Sequence, residues 1–244
     1  QFGDDGIIQY LLKTVKLEEK YFVEFGVANY LESNTRYLLQ GNNWAGLVMD
    51  GNEGNINFIK SQEFYWRQDV EAVHAFITAE NINELLANVP NNPGLLHIDV
   101  DGNDYWIWKA IDRVKADIVI VEYNSVLGKE LSITIPYDAN FVRERKHYSY
   151  LYAGASLPAL VDLAEEKGYI FIGSNSAGNN AYFIKKEKLG SLLPLSVQDG
   201  YVESKFRESR DVSGKLDFKR GDERQHLLKG LPFFDTRTGK IITF

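Results

Sequence analysis

Tyr21-Phe22-Val23-Glu24-Phe25-Gly26-Val27-Ala28-Asn29-Tyr30 is the stretch that decides the fold. A short apolar run closes on the carboxylate of Glu24, and a glycine-bearing turn follows. Three more runs are built the same way: Ala45-Gly46-Leu47-Val48-Met49-Asp50, Leu95-Leu96-His97-Ile98-Asp99 with Asp101 beyond it, and Asp117-Ile118-Val119-Ile120-Val121-Glu122. Nearly continuous apolar runs of this length read as strands buried on both faces, the habit of a parallel sheet covered by helices. The carboxyl ends of such strands share one edge, and ligands bind in the crevice outside it. Folding alone does not require several carboxylates in one crevice. They point to a ligand rich in hydroxyls, amines or positive charge, or to a metal ion.

Working outward, Gly6 to Leu12 has helical spacing, with Asp4 or Asp5 near its start, and Ser33-Asn34-Thr35 opens a helix before Tyr37-Leu38-Leu39. The pattern predicts strands at 21–27, 45–50, 70–78, 94–100 and 117–123. Asn52 is placed to cap a helix carrying Ile56, Ile59 and Phe64, a helix runs from Asn81 to Val89, and Asp104 is placed to cap one carrying Tyr105, Trp106, Trp108 and Ile111. Residues 125–155 are long, rich in Tyr, Arg and Lys, and aperiodic, which marks a functional loop or lid. Order returns with a helix from Ser156 to Lys167, ended by Gly168. Tyr169 to Gly173 and Ala181 to Ile184 then flank a polar turn as an antiparallel hairpin. The expected fold is α/β, a doubly wound Rossmann-like sheet of about seven strands with a terminal antiparallel hairpin. It occupies residues 1–189 with an insert at 125–155, and residues 190–244 form a C-terminal appendage packed on it.

Of the 244 residues 44% are hydrophobic and 25% charged, enough for a sizeable core. A net charge of −7 argues against a nucleic-acid backbone or an anionic membrane as the main partner. The absence of cysteine excludes disulfides and thiolate zinc sites, and no apolar run reaches the roughly 18 residues of a membrane span. A cytoplasmic location is the default expectation, the partner expected is a small-molecule substrate, and homo-oligomerisation is compatible with the composition. No P-loop, Gly-x-Ser-x-Gly elbow or His-Glu-x-x-His segment occurs.

Val23-Glu24-Phe25-Gly26-Val27-Ala28-Asn29-Tyr30 resembles the first motif of class I S-adenosylmethionine-dependent methyltransferases, acid–x–Gly–x–Gly–x–Gly, with Ala28 and Tyr30 standing at the second and third glycines. Asp50 lies about 20 residues past the turn, where nucleoside-binding α/β proteins hold an acid against the ribose hydroxyls. His97-Ile98-Asp99-Val100-Asp101-Gly102-Asn103-Asp104, Val121-Glu122-Tyr123-Asn124, Gln1-Phe2-Gly3-Asp4-Asp5-Gly6 and Gly154-Ala155-Ser156 resemble the FkbM-like branch of that superfamily, over roughly residues 1–187. The resemblance implies S-adenosyl-L-methionine as cofactor and methyl transfer to an oxygen, less often a nitrogen, of a small molecule such as a sugar or natural product. It further implies Glu24 and Gly26 at the methionine half and Glu80 near adenine. A helix-start carboxylate is the plain reading of Glu80.

Strand parity gives the acids a second reading. Residues two apart share a face, so Asp99 and Asp101 pair, as do Glu122 and Asn124. Side by side they would offer oxygen ligation at Asp99, Glu122 and Asn124 suited to Mg²⁺ or Mn²⁺, or bind substrate hydroxyls directly. His147, in the insert beside Tyr148, is the candidate general base among the histidines, with Asp99 the second catalytic candidate; His97, inside an apolar run, reads as a hydrogen-bonded core residue. Arg143 could hold an anionic substrate group, and Asp101, Tyr123, Asn124 and Tyr148 complete the expected substrate contacts. Two alternatives remain at this level: a nicotinamide-dependent oxidoreductase, which the missing glycines and the terminal hairpin disfavour, and a non-catalytic nucleoside-binding or interaction protein.

Overall fold

Each of the carboxylate-ended runs is a strand in the computed structural model, which describes residues 2–244 and so leaves Gln1 of the N-terminal segment outside. The strands are β1 (Tyr21–Phe25), β2 (Ala45–Asp50), β3 (Val70–His74), β4 (Leu95–Ile98) and β5 (Ile118–Glu122), all parallel. The hairpin also forms. With β6 (Ile133–Thr134) lying elsewhere, its arms are β7 (Tyr169–Ser174) and β8 (Asn180–Lys185). They enter the sheet in the order β3-β2-β1-β4-β5-β8-β7, so β8 is an antiparallel strand wedged between β5 and β7. This is the expected doubly wound, Rossmann-like α/β sheet. Between β1 and β4 the winding reverses, which makes their carboxyl ends the topological switch point.

Local signals explain the helices. Asn52 caps α3 (Glu53–Ser61) by accepting from Gly54 N, after α1 (Asp4–Thr14) and α2 (Arg36–Gln40), and α4 (Glu63–Arg67) follows. Beyond α5 (Ile82–Leu85), Asn103 rather than Asp104 holds the cap position of α6 (Asp104–Ala110). Asp104 instead reaches back to accept from Val100 N (2.8 Å) and Gly102 N (3.0 Å), fixing the loop after β4. With α7 (Arg143–Lys146) in the insert, α8 (Leu157–Lys167) starts at Ser156 and stops at Gly168, whose φ of 83° suits glycine.

The sheet is buried on both faces. Phe22, Val48, Leu95, Ile120 and Tyr182 pack beneath α1–α4, while Val23, Leu47, Ile98, Val121 and Phe183 face α6 and α8. Alternation therefore puts Glu24, Asp50, His97, Glu122 and Asn180 on the first of these faces, at the carboxyl edge. The sequence places Trp106 and Trp108 on different sides of α6, and Trp108 is buried. Trp106 faces the insert: its Nε1 donates to Ile135 O (2.8 Å) and its ring lies 4.9 Å from Phe234.

The insert is anchored by irregularly spaced apolar residues, which is why periodicity does not reveal its order. Val126, Leu127, Ile133, Ile135, Phe141, Leu151, Tyr152 and Ala153 form a third core with Leu228 and Phe233 of the tail. A small antiparallel sheet joins the two, in the order β10 (Lys240–Thr243), β9 (Pro232–Asp235), β6. The β6–β9 pairing spans two residues only. Burial of about 1.5–3 kcal/mol per large side chain outweighs those few hydrogen bonds in holding insert and tail together. No helix among the described residues is long and apolar enough to cross a membrane.

Candidate functional site

The loop after β1 lies on the switch point. Gly26 has φ 67°, and a Cβ there would fall 1.7 Å from the carbonyl oxygen of Asp99. The backbone of β1 thus touches the end of β4 where only glycine fits. Gly26 N donates to Met49 O (2.9 Å). Ala28 and Tyr30, at the two positions where the resembled motif carries glycine, also adopt left-handed backbone, with φ of 47° and 63°. Non-glycine residues rarely do so, and surrounding bonds hold them there: Ala28 N donates to Asp50 Oδ2 (2.7 Å), and Arg36 Nη1 donates to Tyr30 O (2.9 Å). The Tyr30 ring is buried, and its hydroxyl hydrogen-bonds with Thr35 Oγ1 (3.0 Å).

Glu24 is engaged entirely within the protein. Oε1 accepts from Asn34 N (3.0 Å) and pairs with His97 Nδ1 (2.8 Å), while Oε2 accepts from Thr35 N (3.0 Å) and from Thr35 Oγ1. Burial opposes the charge of both partners, but their mutual hydrogen bond and attraction prevail: the Glu24 carboxyl is held below its ordinary range and His97 above its own. His97 is the hydrogen-bonded core residue that its apolar run predicts. Glu24, expected against the cofactor, acts as the rivet that ties β1, β4 and the start of α2 together. Asp50 accepts from Ala28 N, from Asn52 N (2.8 Å) and from Asn55 Nδ2 (2.9 Å), which leaves one of its roughly four acceptor positions.

A cleft of about 320 Å³ opens beside this loop, a volume at the low end for small-molecule sites. Glu24, Gly26, Ala28, His97 and Asp99 line one side, and Asp4, Asn179 and Asn180 the other. A second cavity of about 50 Å³, lined by Glu122, Tyr123, Asn124, Arg143 and Glu208, adjoins it through Asn179. Asp50 and Glu80 line neither cavity. Glu80 is exposed on the loop after β3 and accepts from Tyr137 of the insert (2.5 Å).

Asp99, Asp101 and Glu122 converge, each offering an oxygen within 4.8 Å of the others. Burial and mutual repulsion, chiefly from Asp101, push the Asp99 carboxyl up to about 7, and burial with repulsion from Asp99 lifts Glu122 well above the carboxylate range. Burial raises Asp104 to about 6 despite the backbone N–H groups it accepts from. Hard oxygen donors of this kind could hold Mg²⁺ or Mn²⁺. Asn124 is not the fourth donor that parity predicts. The strand ends at Glu122, and beyond it Asn124 Oδ1 caps a turn at Val126 N (3.0 Å) while Nδ2 donates to Leu151 O and Ala153 O (2.8 and 2.9 Å).

The insert residues take other roles than expected. Arg143 donates to Asp101 (3.0 Å), Glu208 (2.9 Å) and Tyr150 O (2.6 Å), so its charge faces the acids and not a substrate anion. His147 bonds Ser149 Oγ (2.7 Å) and packs at a tilt on the exposed Tyr148 ring, centroids 4.3 Å apart; neither lines the cleft or the cavity beside it, and burial lowers the His147 imidazole. Tyr123 is buried, its hydroxyl donating to Val202 O (2.6 Å). Two features were not legible from sequence. One is the buried Asp4, which accepts from Tyr182 and, at 3.1 Å, from Asn175 Nδ2. The other is the strand partner of Asn180: Asn179-Asn180 reads from sequence as a hairpin turn that reaches the same edge of the sheet, and the pairing sets Asn180 opposite Glu122.

No family model matches the sequence, and no curated protein matches it. Among solved structures, the chain is similar to the pyocyanin biosynthetic protein PhzM at 13% identity and a TM-score of 0.46, with 75% of this chain and 54% of that one covered, so it spans about half the length of PhzM. It is similar to precorrin-6y C5,15-methyltransferase from Geobacter metallireducens GS-15 at 18% identity and a TM-score of 0.41, covering 72% and 84%. It is also similar to the N-terminal domain of EvdMO1 with SAH bound, at 12% identity and a TM-score of 0.47, covering 74% and 79%.

Proposed function

We propose that this chain is an S-adenosylmethionine-dependent methyltransferase acting on a hydroxyl, or less often an amine, of a small molecule such as a sugar or natural product. The observation that carries the reading is the loop at the switch point. Gly26, Ala28 and Tyr30 all have left-handed backbone at the spacing of acid–x–Gly–x–Gly–x–Gly, directly over the junction of β1 and β4. Strained non-glycine backbone costs of order 1–3 kcal/mol per residue and clusters at functional sites. The antiparallel β8 inside the sheet favours this reading over a nicotinamide-dependent oxidoreductase, as the hairpin in the sequence does.

The bound cofactor would supply an electrophilic methyl group on a sulfonium. In this reading the loop backbone and the remaining acceptor position of Asp50 hold the cofactor half, with Glu80 at its rim. The Glu24–His97 pair keeps the loop rigid. The reaction half lies over β4 and β5. There Asp99 lines the cleft with a carboxyl raised toward neutrality, suited to accept the hydroxyl proton as the acceptor oxygen attacks. We give this role to Asp99 in place of His147. A divalent ion held by Asp99, Asp101 and Glu122 would serve the same end by polarising that hydroxyl.

Isothermal calorimetry with S-adenosylhomocysteine tests the reading, with micromolar binding as the expected result. Asp50→Asn keeps the side-chain shape but sets an amide against Ala28 N, and affinity should fall about tenfold or more while the fold persists. Absence of binding by folded wild-type protein would sink the reading. Binding without methyl transfer to any member of a broad acceptor panel would leave a nucleoside-binding protein.

A further inference from the structure

Asn180 is 4% exposed; its side-chain oxygen is covered and has no hydrogen-bond partner, so a ligand in the cleft meets the amide nitrogen as placed and the oxygen once the amide turns over, which exchanges the two. A buried acceptor left unpaired costs about 1–3 kcal/mol, so it calls for an explanation. Its place in the sheet supplies one. Asn180 stands opposite Glu122 in the antiparallel β5–β8 pairing, where opposed side chains share a face. Asp99 follows directly on the end of β4 and offers a carboxylate oxygen within 4.8 Å of one of Glu122. Asp99, Glu122 and Asn180 therefore form a row across three neighbouring strands at the carboxyl edge. Asp99 and Asn180 line the large cleft together. Burial and charge are the chief influences on the carboxyls of Asp99 and Glu122, and neither has a hydrogen-bond partner among the described residues.

We propose that this row binds adjacent hydroxyls of a polyhydroxylated, sugar-like acceptor; the inference deepens the methyltransferase reading and rests on it for the row's purpose. The composition of the row selects the ligand class. Both acid side chains and the amide accept from hydroxyl protons, and the amide and a protonated carboxyl also donate, which matches groups that themselves do both. An ammonium or a metal ion would use only the oxygens. Of the cations beside the cluster, Arg143 is already turned toward Asp101 and His97 toward Glu24. Strand spacing of about 4.8 Å sets the acceptors one hydroxyl-bearing carbon unit or two apart along a sugar ring.

The test uses methyl glycosides of glucose, galactose, mannose and fucose as probes, with cyclohexylamine and Mg²⁺ as cation controls. Binding is read by saturation-transfer NMR on wild-type protein, with and without S-adenosylhomocysteine. At least one glycoside is expected to bind at millimolar concentration. Asn180→Leu and Asp99→Asn should each weaken it about tenfold, while Asn180→Leu leaves S-adenosylhomocysteine affinity within about twofold. If Asn180→Leu does not fold, Asn180→Asp, which keeps size and acceptor but removes the donor, should weaken glycoside binding severalfold. Three results would overturn the proposal: no glycoside bound by protein that binds S-adenosylhomocysteine, glycoside affinity indifferent to position 180, or dependence on Asn180 shown by the amine or Mg²⁺ instead. Glycoside binding that needs Asn180 in a protein blind to S-adenosylhomocysteine would uphold the row and remove the methyltransferase reading.

Discussion

Gly26→Ala is expected to destabilise the protein by about 3–5 kcal/mol, at the upper end of single-substitution effects. Two independent costs combine. A φ of 67° disfavours any residue with a Cβ, and the added carbon would lie 1.7 Å from Asp99 O and 2.9 Å from its carbonyl carbon. Both neighbours are backbone, so no side chain can turn aside. Relief requires β1 and β4 to part at their carboxyl ends, which also breaks the shared wall of the cleft. Ala28→Gly is the matching control, since it stands at φ 47° in the same turn. Removing its Cβ relieves backbone strain but frees the unfolded chain, and the two nearly cancel, leaving stability within about 1 kcal/mol of the parent. Urea unfolding of both variants decides the matter. A Gly26→Ala loss no larger than 1 kcal/mol would mean that the loop does not press on β4.

The contrast between these two positions shows what the sequence could carry. The four carboxylate-ended runs announce the parallel sheet because strands buried on both faces need apolar side chains on both. Asn52, Ser156 and Gly168 mark helix ends through chemistry confined to a few neighbouring residues. Partners far apart in the chain leave no such trace. Arg143 meets Glu208 across 65 positions, and Asn180 meets Glu122 only because β8 enters the sheet beside β5. Asn124 shows the limit of parity: the rule holds while the strand lasts, and β5 ends at Glu122. Asp101, with φ 56°, has also left the strand, yet the loop after β4 returns it to the cluster. Ala28 and Tyr30 look like a degraded glycine motif in sequence. In the structure they keep its backbone shape, because Asp50 and Arg36 restrain the chain from outside the turn.

Glu24→Gln should cost about 3–5 kcal/mol near pH 6, because it removes one partner of a buried ion pair and leaves the other charged. The side chain is 2% exposed, and its four hydrogen-bond partners are all donors. A glutamine would direct its NH₂ at some of them. The pH dependence separates this electrostatic role from simple packing. The Glu24 carboxyl is lowered in the folded protein, so its contribution is present above the ordinary carboxylate range and is lost as pH falls through the lowered value. His97 is raised, so its contribution is present below about 6.5 and is lost as pH rises through the raised value. The wild-type advantage over Glu24→Gln should therefore be greatest between roughly pH 4.5 and 6.5 and shrink on both sides. His97→Gln should abolish the alkaline limb of that curve and spare the acid one, since Thr35 and Asn34 still donate to Glu24. Urea denaturation from pH 3.5 to 9 measures both. A wild-type advantage that stays constant with pH would show that Glu24 and His97 fit together by shape and hydrogen bonding without exchanging charge.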